Sequence, residues 1–467
     1  MRSLVRHCGT LGLLGLVLIA SVLAPDRAAA LPSFAAQTGQ PCAACHIGAY
    51  GPQLTPLGRA FKIGGYTQTG GDGLAAKIPV SVMALGSFSS TAADLPADQR
   101  ATRYSTNNNF NFDQLSVFVA GGFGDYSGAL IQFTTSNNVS ASKLDNTDIR
   151  PFTTTFDIGD SELRIGTTIN NSPTVQDPYN TTFAWGYPYV ASVLAPTPAA
   201  QPAIAGAFGG NTMGASVYLW YDRRVYLEAG LYNTQSPWLL ARTGNVYGVG
   251  STGSPAPYLR AAYEWDWNEQ AAHVGALFMQ SNVNPSVAPR QTDNSFGRDQ
   301  YTDYSADASY AYLGDGTHIV TVQGIYTHEN QSLGGTASTS NAANGTTYGN
   351  NYSLDQIRMN ASYWYQNTYG ATVGWQRTWG PANPVLYGPG EVYGSNNSKP
   401  NSNAFTFEAD WVPFGKADSW MGPFVNLKVG LQYILYTQFN GGTRNYDGFG
   451  RSAGDNNTLY LFAWMTF

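Results

Sequence analysis

The sequence has few charged residues, and beyond its first thirty positions it has no long apolar run. Charged residues make up 12% of the 467-residue chain, whereas soluble globular domains carry about 25%. A membrane-spanning helix needs about 20 consecutive, mostly apolar residues, and no such stretch follows residue 30. The composition therefore argues against an ordinary soluble domain and against a bundle of transmembrane helices.

Cysteine is also scarce, and one of the three cysteines falls in a segment that we expect to be removed. Residues 1–30 have the features of a secretory signal peptide, with Arg2 and Arg6 ahead of an apolar core at 11–23 and an Ala-Ala-Ala sequence at the end. Cys8 is lost with this segment. The signal carries three arginines and one aspartate, so its removal takes the net charge from −6 to −8. We expect an exported, acidic protein with no nucleic-acid partner.

Aromatic and small polar residues take the place of the missing charges. Aromatic residues make up 13% of the chain and glycines number 52, with tyrosine, asparagine, threonine and serine abundant among the rest. Transmembrane β-barrels of the outer membrane combine a polar lumen with an apolar outer face and aromatic girdles at both interfaces. The composition therefore predicts an all-β protein in contact with outer-membrane lipid.

The residue pattern from 78 to 467 supports the same fold class. Leu115 and Val117 alternate with polar neighbours, and the same period of two recurs at 163–167 and 425–433. The chain ends in an alternating aromatic strand that closes on Phe467, which is typical of outer-membrane barrels. The alternative is an array of soluble β-sandwiches, which would carry more charge and would have loops of similar length on both sides.

Short turns alternate with long polar loops, and this alternation allows a strand count. The predicted long loops include one near 137–156. We expect sixteen antiparallel strands, which requires one strand at 183–194, after a turn across 170–182. The short turns are predicted at 121–125, 222–224, 268–270, 314–316 and 366–368, with a wider turn at 412–422.

One pentapeptide near the predicted mature N-terminus carries the chemistry. Cys42-Ala-Ala-Cys45-His46 has the spacing with which two thiols form thioethers to the vinyl groups of haem c. The adjacent His46 then binds the iron as an axial ligand. The alternatives are a disulfide, common in exported proteins, and a zinc site, which would need a second pair of ligands that the sequence lacks.

The haem segment, residues 31–77, is short for a domain of its own, because chains of about 40–60 residues have marginal cores. It contains a short helix predicted after Pro56. We therefore expect this α/coil segment to pack inside or under the barrel (residues 78–467) and to plug the lumen. A separate periplasmic mini-domain is the alternative.

The second axial ligand is not marked by a motif. The strand pattern points His273 and Met279 into the lumen and points His318 and His328 outward. His273 is a candidate, although a lone lumen histidine is more often a pore-lining polar residue than a ligand. Met279, Met83 and residues of the haem segment or the loops are further candidates.

Two cations follow the motif closely. Arg59 and Lys62 could pair with the haem propionates through charge-assisted hydrogen bonds. Their alternative role is that of solvated or lumen-facing charges.

No group of acidic residues and histidines has clear metal-ligand spacing. Four aspartates in or near one long loop are the best candidates for an iron site, namely Asp293, Asp299, Asp303 and Asp307.

The N-terminal motifs resemble those of a known family. Pro32-Ser-Phe-Ala35, Thr38-Gly39, the Cys42–His46 motif and Leu54-Thr-Pro-Leu-Gly-Arg-Ala-Phe-Lys62 resemble the start of outer-membrane monohaem cytochrome c–porin fusions of iron-oxidising bacteria. Later stretches are also similar, at 170–177, 439–442 and 454–459. The resemblance implies a sixteen-stranded porin with one haem c that takes electrons from extracellular Fe(II) and delivers them to periplasmic carriers. Because the family includes members whose donor is unknown, it supports electron transfer more firmly than it supports iron.

The sequence thus predicts an electron-carrying outer-membrane cytochrome, of the oxidoreductase class if it is an enzyme. Its expected partners are extracellular Fe(II) or another donor and a periplasmic cytochrome or other soluble carrier. Two alternatives remain at this point. One is a solute porin whose haem segment is a plug or redox sensor, and the other is a haem-based catalyst that acts on a small molecule.

Overall fold

The computed structural model describes residues 31–136, 142–421 and 425–467. The predicted signal peptide lies outside the described residues, as do part of the predicted 137–156 loop and the end of the predicted 412–422 turn. No helix in the described residues is long and apolar enough to cross a membrane.

The barrel is one closed antiparallel sheet. Its first strand pairs both with the second strand and with the last, and Met83 is registered opposite Thr466 at the closure. Sixteen long strands form the wall. Two short strands, β8 (Gly250–Thr252) and β11 (Gln291–Thr292), extend the wall at one end of the barrel. The predicted all-β fold of sixteen strands is confirmed.

The long strands have the following bounds: β1 (Val80–Thr91), β2 (Asn109–Gly122), β3 (Gly128–Thr135), β4 (Lys143–Ile158), β5 (Ser161–Asn170), β6 (Thr212–Tyr221), β7 (Val225–Thr234), β9 (Ala256–Trp267), β10 (Gln270–Ala288), β12 (Asp299–Tyr312), β13 (His318–Leu333), β14 (Asn351–Tyr365), β15 (Tyr369–Trp379), β16 (Ser402–Trp411), β17 (Asn426–Gln438) and β18 (Thr458–Thr466).

The two faces of the wall differ as the period of two predicts. On β2, Leu115 and Val117 are exposed while Ser116 is buried. Exposed aromatic residues collect beside the short turns, for example Trp267 and Trp411. A closed sheet with an apolar exterior satisfies its backbone polar groups internally, as a strand-built membrane protein must. The protein is a porin-like outer-membrane barrel.

The predicted strand at 183–194 is wrong. The chain between β5 and β6 forms instead a long lumen loop (residues 171–211) that folds into the barrel and contains only short 3₁₀ turns, at Phe183–Trp185 and Ala203–Ala205. The loop contacts several strands of the barrel wall: Asp177 pairs with Arg260 on β9, and Tyr187 contacts Glu408 on β16. The loop is inward because its polar groups find partners there, which no local pattern reveals.

The predicted loop at 137–156 is also wrong over its described part, because most of it is strand β4. A two-residue turn at Gly159 and Asp160 joins β4 to β5, and Gly159 supplies the left-handed backbone (φ +62°) that such a turn requires. The loop was predicted because the segment is polar. In the structure Asp148 and Arg150 are buried and form an ion pair at 3.0 Å. The correct strand count therefore came from two compensating errors.

Five α-helices in the described residues complete the fold. Three belong to the haem segment and two to the loops: α1 (Pro32–Thr38), α2 (Cys42–Cys45), α3 (Pro56–Ile63), α4 (Pro237–Thr243) and α5 (Gly334–Asn344).

The haem segment lies inside the barrel at the end where the short turns are. The backbone N–H of Gly48 donates to the side chain of Asn367 in one short turn at 2.9 Å. The backbone N–H of Ala43 donates to the carbonyl of Gly415, in the wider turn between β16 and β17, at 3.0 Å. The segment thus closes this end of the lumen, as a plug.

Candidate functional site

Helix α1 begins and ends on local signals and docks on the wall. Pro32 occupies the first turn, and Gly39 ends the helix in the left-handed conformation with its N–H bonded to Ala35 O. The backbone N–H of Ser33 donates to Ser81 Oγ on β1 at 2.9 Å. This contact fixes the start of the haem segment against the first strand of the barrel.

The side chain of Gln37 fastens the same segment to β2. Its Nε2 donates to the carbonyl of Tyr66 at 2.7 Å, while its Oε1 accepts from the backbone N–H of Gly122 at 2.8 Å. Gln37 is buried, so each of these bonds replaces a contact with water that the burial has removed.

The motif cysteines and the histidine sit on one short helix and its end. Helix α2 spans Cys42–Cys45, and the N–H of His46 bonds to Cys42 O at its C-terminus. The next helix, α3, packs closely on α2. The hydroxyl of Thr55, the N-cap residue of α3, donates to the carbonyl of Ala44 in α2 at 2.6 Å. This packing requires Gly58, because a Cβ there would lie 2.4 Å from Cys45 O.

A cavity of about 310 Å³ lies between the haem segment and the wall. Cys45 and His46 line it on the side of the haem segment, and β1, β2 and β18 contribute Met83, Phe118 and Trp464 from the wall. A second cavity, also about 310 Å³, opens on the other side of His46 at the short-turn end. His46 therefore borders both cavities.

Most of the first cavity's wall is apolar. An aromatic cluster of Phe34, Phe61 and Tyr66 covers part of it, with Phe34 and Tyr66 stacked at a centroid distance of 5.1 Å. Flat apolar walls of this kind suit a large planar ligand. We regard this cavity, together with the motif, as the candidate cofactor site.

The histidine is suited to bind a metal. Burial lowers the pKa of His46 to about 4, and a backbone interaction with Gly51 opposes this only in part. The imidazole is therefore neutral at physiological pH, which is the form that ligates metals. Its Nδ1 is buried and has no hydrogen-bond partner of normal geometry among the described residues.

The cysteines do not have the character of a redox pair. Cys42 and Cys45 are not joined in a disulfide. Burial raises the pKa of the Cys45 thiol to about 11, whereas redox-active cysteines have a lowered pKa. Within the described residues there is also no group of three or more His, Cys, Asp and Glu side chains placed to hold a metal ion.

The donor set and the cavity fit haem c. Two thiols on one helical turn, a neutral imidazole and apolar walls are the groups that covalent haem attachment needs. The indole Nε1 of Trp464, which lines the cavity, is buried without a hydrogen-bond partner among the described residues. A propionate would satisfy this donor. Trp464 is 418 positions from His46 along the sequence, so no local signal could have identified it.

Arg59 and Lys62 lie on α3, but only Lys62 lines the cavity. Arg59 instead pairs with wall carboxylates, with Asp266 at 2.9 Å and Glu264 at 3.5 Å. Arg59 therefore links the haem segment to β9 through ion pairs.

Lys62 is held by the lumen loop. Its Nζ donates to the carbonyls of Val175 and Asp177, at 2.7 and 2.8 Å, and to Asn180 Oδ1 at 2.9 Å. Burial lowers the pKa of Lys62 to about 7. Whether Lys62 or Arg59 contacts a propionate stays a prediction.

His273 points inward, as predicted, but the structure places it outside the cavity. Its Nε2 contacts Asp307 Oδ2 at 2.9 Å and its Nδ1 contacts Ser309 Oγ at 2.7 Å. Its ring stacks on Tyr179 of the lumen loop at 4.3 Å. Both ring nitrogens thus serve a network that fixes the loop. His318 and His328 point outward as predicted.

The four aspartates suggested for an iron site do not form one group. Asp293 is in an exposed loop, whereas the other three lie along β12 and point into the lumen. Asp299 bonds to Thr336, and Asp307 pairs with Arg260 and His273. These four aspartates therefore do not form a metal-binding group among the described residues.

Comparisons with known proteins add little to this geometry. No protein-family model matches the chain, and no curated protein matches it significantly. Solved structures with a similar fold include OmpT, an outer membrane protein of Vibrio cholerae, at 9% identity and a TM-score of 0.40, covering 83% of this chain and 96% of that one.

Two further structures are similar to the same degree. The anion-selective porin from Comamonas acidovorans has 12% identity and a TM-score of 0.42, with 83% and 98% of the two chains covered. The outer membrane channel DcaP of Acinetobacter baumannii has 10% identity and a TM-score of 0.43, with 83% and 96% covered.

Proposed function

We propose that the protein is an outer-membrane c-type cytochrome that carries electrons from an extracellular donor, Fe(II), to a soluble carrier in the periplasm. One observation carries this proposal. The Cys42–His46 motif lies inside the barrel, where Cys45 and His46 line an apolar cavity closed by the wall. Cys42 and Cys45 would hold haem c covalently and His46 would bind its iron. When bound, the haem supplies a one-electron carrier.

The chain's own residues keep water and solutes out of the lumen. Several charged side chains that point inward are buried in pairs, such as Arg150 with Asp148 and Arg260 with Asp307, all no more than 1% exposed. Buried charges stay paired because an isolated one is costly in a low-dielectric interior. The lumen loop and the haem segment supply partners for these groups. A filled lumen of this kind favours movement of electrons over movement of solutes.

The position of the site supports an inward direction of transfer. Short turns face the periplasm in outer-membrane barrels, and the haem segment lies at the short-turn end. The second cavity beside His46 lies among turn residues such as Gly314 and Asn367. The site is therefore near the side from which a periplasmic carrier would take electrons.

The proposal is tested in vesicles that contain the purified holoprotein and trap a soluble c-type cytochrome inside. Fe(II) is added outside under anaerobic conditions, and reduction of the trapped cytochrome is followed by absorption. We expect reduction in vesicles with the wild-type protein and none with a Cys45→Ala variant. Equal reduction with both, or none with either, would overturn the proposal.

A second function, a solute porin plugged by its haem segment, is favoured by one observation, the porin-like closed barrel itself. It differs in a measurable way, since a porin conducts ions. In planar bilayers the proposed cytochrome should show little conductance compared with open sixteen-stranded porins. A steady open-channel current from the wild-type protein would favour the porin instead.

A further inference from the structure

The iron of a haem c bound at Cys42 and Cys45 would take a second axial ligand, and the cavity restricts the choice. Histidine and methionine are the usual second ligands in electron-carrying cytochromes. Besides the motif histidine, the described residues contain three histidines. His318 and His328 point to the outer face, and both ring nitrogens of His273 are bonded to Asp307 and Ser309. None of the three lines the cavity.

The methionines can also be divided into those that line the cavity and those that do not. Met83 is the only methionine among the residues that line the cavity in the described structure. Met279 is fully buried in a separate core cluster. The others in the described strands are on the outer face: Met213, Met359 and Met465, each at least 37% exposed.

Three side chains of the cavity that carry oxygen or nitrogen donors, Lys62, Tyr66 and Tyr50, are less suitable. The Nζ of Lys62 already makes three hydrogen bonds, and Tyr66 donates its hydroxyl proton to Asp148. Burial raises the pKa of Tyr50 well above 10, and the side chain of Thr466 opposes this only in part. A phenol that stays protonated is a poor iron ligand.

We propose that Met83 is the second axial ligand of the haem iron, an assignment that rests on the proposed cofactor. Met83 is 6% exposed and belongs to the cluster with Phe34, Phe61 and Phe118. A thioether packs favourably among such apolar side chains, and its burial requires no charge to be desolvated.

The strand that carries Met83 is attached to the haem segment. Ser81, two residues earlier on β1, accepts the hydrogen bond from the backbone of Ser33 at the start of the haem segment. The strand that carries Met83 is thus the strand on which the segment docks. A rigid pair of ligands, one from the plug and one from the wall, would also explain why the plug must be inside the barrel.

Ligation by His46 and Met83 has a functional consequence. Methionine raises the reduction potential of a haem relative to a second histidine. A raised potential favours acceptance of electrons from Fe(II), which is itself a weak reductant. The assignment therefore deepens the proposed function and predicts a potential that falls when Met83 is replaced by histidine.

The test uses the oxidised holoprotein and the weak red absorption band that marks sulfur-to-iron(III) charge transfer. We expect this band in the wild type and in Met279→Leu, a control at a buried methionine outside the cavity. The band should be lost in Met83→Leu and in Met83→His. Reduced Met83→Leu should also bind carbon monoxide quickly, while the reduced wild type should not.

The outcomes separate the two proposals. A wild type that holds covalent haem but shows no such band, or a Met83→Leu variant that keeps it, overturns the ligand and leaves electron transfer standing. A wild type without covalent haem overturns both. If Met83→Leu does not fold, Met83→His decides, because it keeps a six-coordinate iron but must lose the band and lower the potential.

Discussion

The ion network around Arg260 should hold the lumen loop, and through it the haem segment. Arg260 on β9 pairs with Asp307 on β12, with one N–O distance of 2.9 Å, and with Asp177 of the loop at 3.3 Å. All three side chains are fully buried. The carbonyl of Asp177 in turn accepts from Lys62 of the haem segment. Replacing Arg260 by leucine should therefore loosen both elements.

The size of the effect follows from what Arg260→Leu leaves behind. Two carboxylates lose their cation, and His273 is the one titratable group bonded to Asp307 that can take up a proton in compensation. Breaking a buried pair by removal of one partner typically destabilises a protein by about 3–5 kcal/mol. Because about 1.4 kcal/mol corresponds to a factor of ten, amide hydrogen exchange at residues 171–182 should be faster by about two to four orders of magnitude.

The assay is hydrogen exchange followed by mass spectrometry on the detergent-solubilised protein. Arg224→Leu is the matched control, since Arg224 is 60% exposed in a pair with Asp222 at 3.6 Å, and exposed pairs contribute about 0–1 kcal/mol. Adding Asp307→Asn to Arg260→Leu should restore part of the protection. If Arg260→Leu changes exchange no more than the control does, the reasoning about the network is refuted.

Three further predictions concern the haem segment. Cys45→Ala should remove one thioether, so the fraction of protein that keeps haem on a denaturing gel should fall sharply, and an unchanged haem stain would contradict covalent attachment there. Gly58→Ala should lower haem loading because its Cβ would meet Cys45 O at 2.4 Å, whereas Gly388→Ala, with open space around it, should not; equal loading would contradict this packing. The folded-state pKa of Lys62 is about 7 and the unfolded value about 10.4, so the unfolded chain binds more protons between these values and stability should rise from pH 7 to about 10. Lys62→Met should abolish that rise in a denaturant titration, and a rise that persists would exclude Lys62 as its source.

Local patterns were sufficient for the parts of the fold that depend on neighbours in sequence. The alternation around Leu115 and the short turns at residues such as Asn268 could be predicted, because strand faces and tight turns are set within a few residues. The turn at Gly159 was not predicted, because the polar segment before it indicated a long loop.

The lumen loop could not be predicted in this way. Its backbone carbonyls at Val175 and Asp177 are satisfied by Lys62, which lies more than 110 positions earlier in the sequence. The loop looks polar and irregular in sequence, as an exposed loop would. Only the assembled barrel shows that its polar groups are paired inside the lumen.

The candidate site also has a part that local sequence predicts and a part that depends on distant residues. The motif of Cys42, Cys45 and His46 is local and was evident from spacing alone. The cavity is not local, because Met83 and Trp464 come from strands that meet only when the barrel closes. The roles suggested for Arg59 and His273 depended on charge and strand face, and the structure gives both residues partners in the wall.

The proposed function requires that a haem held by the plug accepts electrons from extracellular Fe(II). Its most direct test is the absorption spectrum of the purified, detergent-solubilised holoprotein under anaerobic conditions, before and after Fe(II) is added. The reduced c-type bands should appear promptly when Fe(II) is added. If they appear only with dithionite, Fe(II) is not the direct donor and the claim is contradicted.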